Sequence, residues 1–353
     1  MKRLKPILPA LCVFCLALLV RIIYNLTVAR DYFPKYDSGQ YQAIAFNLLD
    51  EHCFCLHPFV PIVDRAPLWP WLIAEVALIF GRANIYDRLF LCALGAGTCL
   101  FLYLFAHDLF GKRIGFVAGL IACIYPALYI YDGWMYTESL YTFLLIAICY
   151  CVLCIQRGKD QQRTRLWIVC GVLLALLSLT RPNGIILIVL FIVWTIFMHW
   201  RKVLCKHTLR NVALTTLIAC ALIAPWTIRN YHVSHSFVPI ATGDGTVLLG
   251  AYNDKTLTDP GSLGSWSNPL HATTQTSATL KPFLPYLFSC NPVCEIQRED
   301  ASKNAAFQWI RTHLSSMPAM LVYHLRNLWT PITPEADLPM YRFPQQTSAQ
   351  FVL

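Results

Sequence analysis

The 353-residue sequence predicts an all-α polytopic membrane protein with about seven transmembrane helices. Three observations carry that prediction. Hydrophobic residues make up 57% of the chain and charged residues 13%, and the mean hydropathy is +0.50, more apolar than an ordinary soluble domain. Near-continuous apolar runs recur over residues 6–228, which excludes a disordered chain, a collagen, a coiled coil and a small disulfide scaffold. The formal charge of +9 comes from bases clustered between those runs. That pattern orients helices in a bilayer and gives no reason to expect nucleic acid as a partner.

The N-terminus, MKRLKPILPALCVFCLALLVRIIYNL, places three bases before an apolar run interrupted only by Arg21. The run is too long for a signal-peptide core and no small-residue cleavage site follows, so it is read as a retained first span. Further spans are expected at 86–107, 114–131, 138–155, 166–179, 184–200 and 209–228. The segment 66–80, APLWPWLIAEVALIF, is apolar but short, has Pro67 and Pro70 near its start and carries Glu75. If it does not cross, the clusters Lys2/Arg3/Lys5, Lys112/Arg113, Arg157/Lys159/Arg163/Arg165 and Arg201/Lys202/Lys206/Arg210 all fall on one side of the membrane. It is therefore read as an interfacial helix on the outer face, anchored by Trp69 and Trp71.

This organisation gives a transmembrane module, 1–228, and an outer segment, 229–353. The first outer loop, 27–85, holds a second amphipathic helix, with Tyr41, Ile44, Ala45, Leu48 and Leu49 at helical spacing and Asp37 as its N-cap. Interfacial helices are expected near 294–314 and 318–328, with Trp309 and Trp329 suited to an interface. No internal repeat is visible, and no pair of Gly-broken spans suggests inverted symmetry.

On this topology the hairpin YPALYIYDGWMYTESLY faces outward with Asp132, in a D-G turn, and Glu138, and Asp37 lies on the same face. Carboxylates gathered with bases at one membrane surface suit proton transfer on a phosphate-bearing substrate. The plainer reading of Asp37 is a helix cap, and Glu138 reads equally as a solvated helix start. Arg65 in DRAPLWP, Arg181 in LTRPNG and Arg229 in PWTIRNY offer planar forks for phosphate oxygens. Their plainer roles are a bridge from Arg65 to Asp64, and snorkelling at helix ends for the other two.

Most of the 15 cysteines lie inside spans, where a small soft apolar residue needs no further explanation. His52, Cys53, Cys55 and His57 are zinc-type ligands without a second knuckle, and Cys290 and Cys294 are spaced for a local disulfide. No Walker loop, strand-borne GxGxxG, HExxH or GxSxG is present.

Taken in order, the blocks RIIYNLTVARDYFPKYDSGQYQAIAFNLL, DRAPLWPWLIAEVALIFG, YPALYIYDGWMYTESLY, LSLTRPNG and APWTIRNYHVSHSFVPIATGDGTVLLGAYN resemble bacterial family thirty-nine glycosyltransferases. These are GT-C membrane enzymes related to protein O-mannosyltransferases and to the aminoarabinose transferase of lipid A. The resemblance covers the chain up to about Asn253. It implies a GT-C bundle with two juxtamembrane helices in the first outer loop. It also implies transfer of a sugar from a polyprenyl-phosphate donor, in the membrane, to a hydroxyl acceptor on a glycolipid, envelope glycan or protein. By position, Asp37 matches the base that deprotonates the acceptor, and Glu138, with Asp132 as the secondary candidate, a second acidic position. Arg65 matches the residue that holds the lipid phosphate, and Arg181 and Arg229 match further basic positions of the donor site. The implied location is the cell (inner or plasma) membrane, with a cytoplasmic N-terminus and an outer-face site.

Two features depart from the family. Asp37 is followed by Ser38 where several relatives have a second acid, so no cofactor is expected and a metal bridging two carboxylates is unsupported. Relatives commonly continue into further spans, so the chain reads as a short or truncated member. Two rival readings stay open: a transporter or lipid flippase, and a non-catalytic relative that binds glycolipid.

Overall fold

The computed structural model describes residues 7–157, 164–201, 207–269 and 291–329. The bases Lys2, Arg3, Lys5, Lys159, Arg163, Lys202 and Lys206, together with Cys290, lie outside the described residues. Among the described residues the elements run α1 (Ile7–Thr27), α2 (Tyr36–Asp50), β1 (Cys55–His57), β2 (Val60–Pro61), α3 (Leu68–Phe80), α4 (Asn84–Phe110) and α5 (Lys112–Ile124). They continue with α6 (Ile130–Trp134), α7 (Glu138–Arg157), α8 (Thr164–Thr180), α9 (Gly184–Trp200), α10 (Thr208–Ser234), α11 (Asp244–Ala251) and α12 (Asp254–Thr258). The helices Pro292–Thr312 and Met317–Trp329 follow. The chain divides into two compact units, one of Met1–Phe46 and Ala66–Ile228, the other of Asn47–Arg65 and Arg229–Leu353.

In the first unit α1, α4, α7 and α10 are long and apolar enough to cross a membrane. The expected third span is broken: α5 ends at Ile124, and the chain bends by 77° before α6. Pro126 supplies the physical reason, since it lacks an N–H and pushes Tyr125 into an extended conformation, φ −76° and ψ 113°. Asp132 therefore sits in a helix and not in the expected D-G turn. Helices α8 and α9 have 17 residues each, about 26 Å, at the short end of what spans a bilayer. With the bent pair they bring the helices read as spans to about seven among the described residues.

Helix α3 has 13 residues, about 20 Å against a hydrocarbon core of about 30 Å, so it is too short to cross. Trp71 is exposed, but Trp69 is fully buried and donates its indole N–H to the Met135 carbonyl at 3.0 Å. It is thus a protein contact and not the interface anchor expected of it.

Small residues let α1, α4 and α5 approach closely, as in membrane bundles generally: Val13, Ala17, Ala96, Cys99, Tyr103, Ala122 and Cys123 form a buried cluster. On the outside Leu11, Leu19, Ile121, Val193 and Leu217 are exposed, an arrangement that suits lipid as solvent.

In the second unit β1 and β2 pair antiparallel, and Arg229 spans that hairpin region by donating from Nη1 to the Ile62 carbonyl at 2.5 Å and from Nη2 to the Phe54 carbonyl at 3.0 Å. Asn230 holds the following turn through the Val238 and Ile240 carbonyls. The Glu299 carboxylate accepts from the Gly245 and Thr246 N–H groups and so caps α11. The helices expected near 294–314 and 318–328 are present. Trp309, however, is buried in this unit, donating to Asp254 Oδ1 at 2.6 Å and stacking on His313 at 4.4 Å, so it is not an interface residue. Cys294 is disulfide-bonded.

Candidate functional site

Asp37 is the second residue of α2, inside the first helical turn and not at the N-cap position the sequence suggested. It is exposed. The next residue, Ser38, is fully buried and donates its hydroxyl to the Lys35 carbonyl at 2.8 Å. It offers no second carboxylate beside the first.

Glu138 opens α7 and meets Arg181 across the bundle, Oε1 to Nη2 at 2.8 Å, while Arg181 Nε donates to Thr137 Oγ1 at 2.9 Å. Sequence reading gave this acid and this base separate duties; the fold brings them into one half-exposed ion pair. Local structure explains the placement of both. Pro182 follows Arg181 and ends α8, and Gly184 turns the chain into α9 so tightly that a Cβ there would lie 2.7 Å from the Ser178 backbone. On the other side Met135 takes a left-handed conformation, φ 56°, and its carbonyl receives the Trp69 indole, fixing the turn that delivers Thr137 and Glu138.

Asp132 lies deeper. Its Oδ2 is 3.0 Å from Arg21 Nε, both side chains are fully buried, and Ser139 donates to its other oxygen. Arg21 also donates to the Ala17 and Leu128 carbonyls, each at 3.2 Å. Gly95 of α4 makes room for the pair: a Cβ there would collide with Arg21 and lie 2.9 Å from Asp132 Oδ2. The cleft bordered by Gly95, Tyr131, Glu138 and Ser139 has about 10 Å³, room for one water and not for a sugar.

Arg65 belongs to the second unit. Its Nη1 donates to the Asp64 carbonyl at 3.1 Å and lies 3.8 Å from the Asp64 carboxylate, with about a quarter of the side chain exposed. Arg298 approaches the same carboxylate at 3.9 Å. Beneath them Glu295 is buried and accepts from the Val63 N–H at 2.8 Å. Burial first, then the neighbouring Asp64 charge, pushes its carboxyl up to about 8. Burial likewise pushes the Cys55 thiol up to about 12, the wrong direction for a metal-binding thiolate. Among the described residues no group of three or more His, Cys, Asp or Glu could hold a metal ion.

Residues 64–228 match the sequence model of a family described as dolichyl-phosphate-mannose-protein mannosyltransferase. The oligosaccharyltransferase of Archaeoglobus fulgidus, solved with zinc and sulfate, has the same fold with a TM-score of 0.52 at 13% identity, over 92% of this chain and 52% of that one. The chain shares the fold of this membrane enzyme. A second structure, the archaeal oligosaccharyltransferase AglB from Archaeoglobus fulgidus with an inhibitory peptide and a dolichol-phosphate, gives 0.51 at 13% identity, over 91% of this chain and 39% of that one. The chain therefore spans about half or less of the length of these solved proteins. No curated protein matches it significantly.

Sequence reading missed several charged residues that organise the surroundings of these candidates, each within its own unit. Arg21 had a visible signal, a lone base in an apolar run, but its partner lies 111 positions away and nothing local points there. Glu295, Arg298 and Arg88 gave no comparable signal.

Proposed function

We propose that the chain is a membrane glycosyltransferase that moves a sugar from a polyprenyl-phosphate-linked donor to a hydroxyl acceptor on a glycolipid, envelope glycan or protein. The observation that carries this reading is the family match over residues 64–228, which include α3 through most of α10. In this reading the protein sits in the cell (inner or plasma) membrane with its N-terminus in the cytoplasm and its site at the outer face.

The reaction is a single displacement with inversion. The acceptor oxygen attacks the anomeric carbon, its proton passes to the Asp37 carboxylate, and the bond from that carbon to the phosphate oxygen breaks, releasing polyprenyl phosphate. The carboxylate is exposed in the first turn of α2, open to an acceptor hydroxyl. The phosphate-binding roles go to Arg65 and Arg181, and Glu138 holds Arg181 until the phosphate arrives. Asp132 serves this site by tying α6 to Arg21. Arg229, bonded to the Ile62 and Phe54 carbonyls, contributes by shaping the segment that ends in Arg65. No step is routed through a metal.

The test is reconstitution of the full chain in liposomes with a labelled polyprenyl-phosphate sugar. Asp37→Asn is expected to slow transfer roughly 100-fold to 10,000-fold with membrane insertion unchanged. Wild-type transfer by that variant would remove Asp37 as the base. Movement of label between leaflets without release of polyprenyl phosphate would replace the enzyme reading with a flippase.

A further inference from the structure

The base proposed above is an exposed residue, yet the backbone that carries it is fastened to the interior of the bundle. Arg88, in the second turn of α4, is only 4% exposed. Its Nη1 donates to the Ala29 carbonyl and its Nη2 to the Tyr32 carbonyl, both at 2.6 Å, and Nη1 reaches the Arg30 carbonyl at 3.5 Å. Helix α1 ends at Thr27, so these carbonyls lie past the helix, where Ala29 and Tyr32 are buried although Arg30 and Asp31 between them are exposed. The guanidinium also lies 5.7 Å from the centre of the Tyr32 ring.

Tyr32 carries the connection onward. Its side chain is 3% exposed, and its hydroxyl is 2.8 Å from Ser38 Oγ. Because the one Ser38 hydroxyl proton goes to the Lys35 carbonyl at 2.8 Å, Tyr32 must be the donor to Ser38. The chain of contacts thus runs from Arg88 to the Tyr32 backbone, through the Tyr32 ring to its hydroxyl, and into Ser38, the neighbour of Asp37.

We propose that Arg88, Tyr32 and Ser38 are positioning residues that hold the first turn of α2, and with it Asp37, at the place where the acceptor is deprotonated. This rests on Asp37 being the base. A lysine in place of Arg88 would not serve equally, since two carbonyls are held by the rigid fork of one guanidinium. A carboxylate displaced by about 1 Å costs on the order of 100-fold in rate while substrate contacts elsewhere persist.

Tyr32→Phe and Ser38→Ala each cut the relay without removing a charge or a large side chain. In liposomes with labelled polyprenyl-phosphate sugar, each is expected to lower kcat about 10-fold or more with the donor KM unchanged. Amide exchange, which needs no turnover, should quicken over residues 35–39 in Tyr32→Phe and stay unaltered in α4. Unchanged kcat, a raised KM alone, or unchanged exchange over 35–39 would each overturn the relay. Loss of activity in Asp37→Asn alongside full activity in Tyr32→Phe would discard the relay and keep the base. Full activity in Asp37→Asn would discard the base, and the relay's role with it.

Discussion

Arg21 and Asp132 meet at 3.0 Å with both side chains fully buried, whereas Arg181 and Glu138 meet at 2.8 Å with 39% and 28% of their side chains exposed. The two carboxylates are six residues apart, one in α6 and one opening α7, so chain position does not separate their roles; burial does. Inside the bundle Arg21 engages Asp132, Ala17 and Leu128 together, and Ser139 occupies the other carboxylate oxygen. Removing Arg21 or Asp132 alone would leave the other's charge buried where nothing replaces its partner. At the rim, water and incoming anions compete for the guanidinium, and a phosphate can displace Glu138 at small cost.

Removing one partner of the buried pair is therefore expected to give the largest effect. Arg21→Met leaves the Asp132 charge in a dry site and should cost about 3–5 kcal/mol of stability. Unfolding of the purified protein in detergent micelles measures this. The double variant Arg21→Met with Asp132→Leu should recover most of the loss, since the stranded charge is then gone. Equal instability of the single and double variants would mean that packing and not charge compensation dominates at this point of the bundle.

The rim pair should behave in the opposite way. Arg181→Met is expected to change stability by no more than about 1 kcal/mol. Transfer from the polyprenyl-phosphate sugar should fall about 100-fold, the scale for losing one donor to a developing oxyanion. If Arg181→Met unfolds the protein as Arg21→Met does, the distinction between an exchangeable and a locked arginine fails.

The sequence makes the exchangeable arginine easier to see than the locked one. Arg181 stands between two apolar runs in a Pro-Asn-Gly break, which marks it as lying at a membrane surface, and α8 and α9 run close to the expected boundaries. Pro126 stands inside the segment read as an unbroken third span, and its missing N–H is why that span bends. What stayed hidden depends on contacts between distant segments: Arg21 with Asp132, Trp69 with Met135, Arg88 with Ala29 and Tyr32. The hydrophobic pattern marks which residues avoid water but not which neighbour they meet. Trp69 shows the limit, since an amphipathic indole suits a lipid interface and a buried carbonyl equally well.

Glu295 supplies a third case, a carboxylate buried without a close guanidinium of its own, and it sharpens the comparison by titration. It accepts the Val63 N–H, and Arg298 lies nearer the neighbouring Asp64. Its carboxyl is raised from 4.5 to about 8, first by burial and then by Asp64. Between these values the folded state holds a proton that the unfolded chain has released, so stability falls as pH rises through that window, by at most about 1.4 kcal/mol per pH unit. The contribution is full below pH 4.5 and gone above about 8. Glu295→Gln keeps an oxygen for the Val63 N–H but cannot ionise. The difference in unfolding midpoint between the two proteins should accordingly grow from pH 5 to pH 8 in favour of Gln, with other titrating groups cancelling in the subtraction. A difference that stays flat over this range would mean that Glu295 remains ionised in the folded protein. The surrounding arginines would then compensate its charge as fully as Arg21 compensates Asp132, and burial alone would no longer distinguish the carboxylates of this chain.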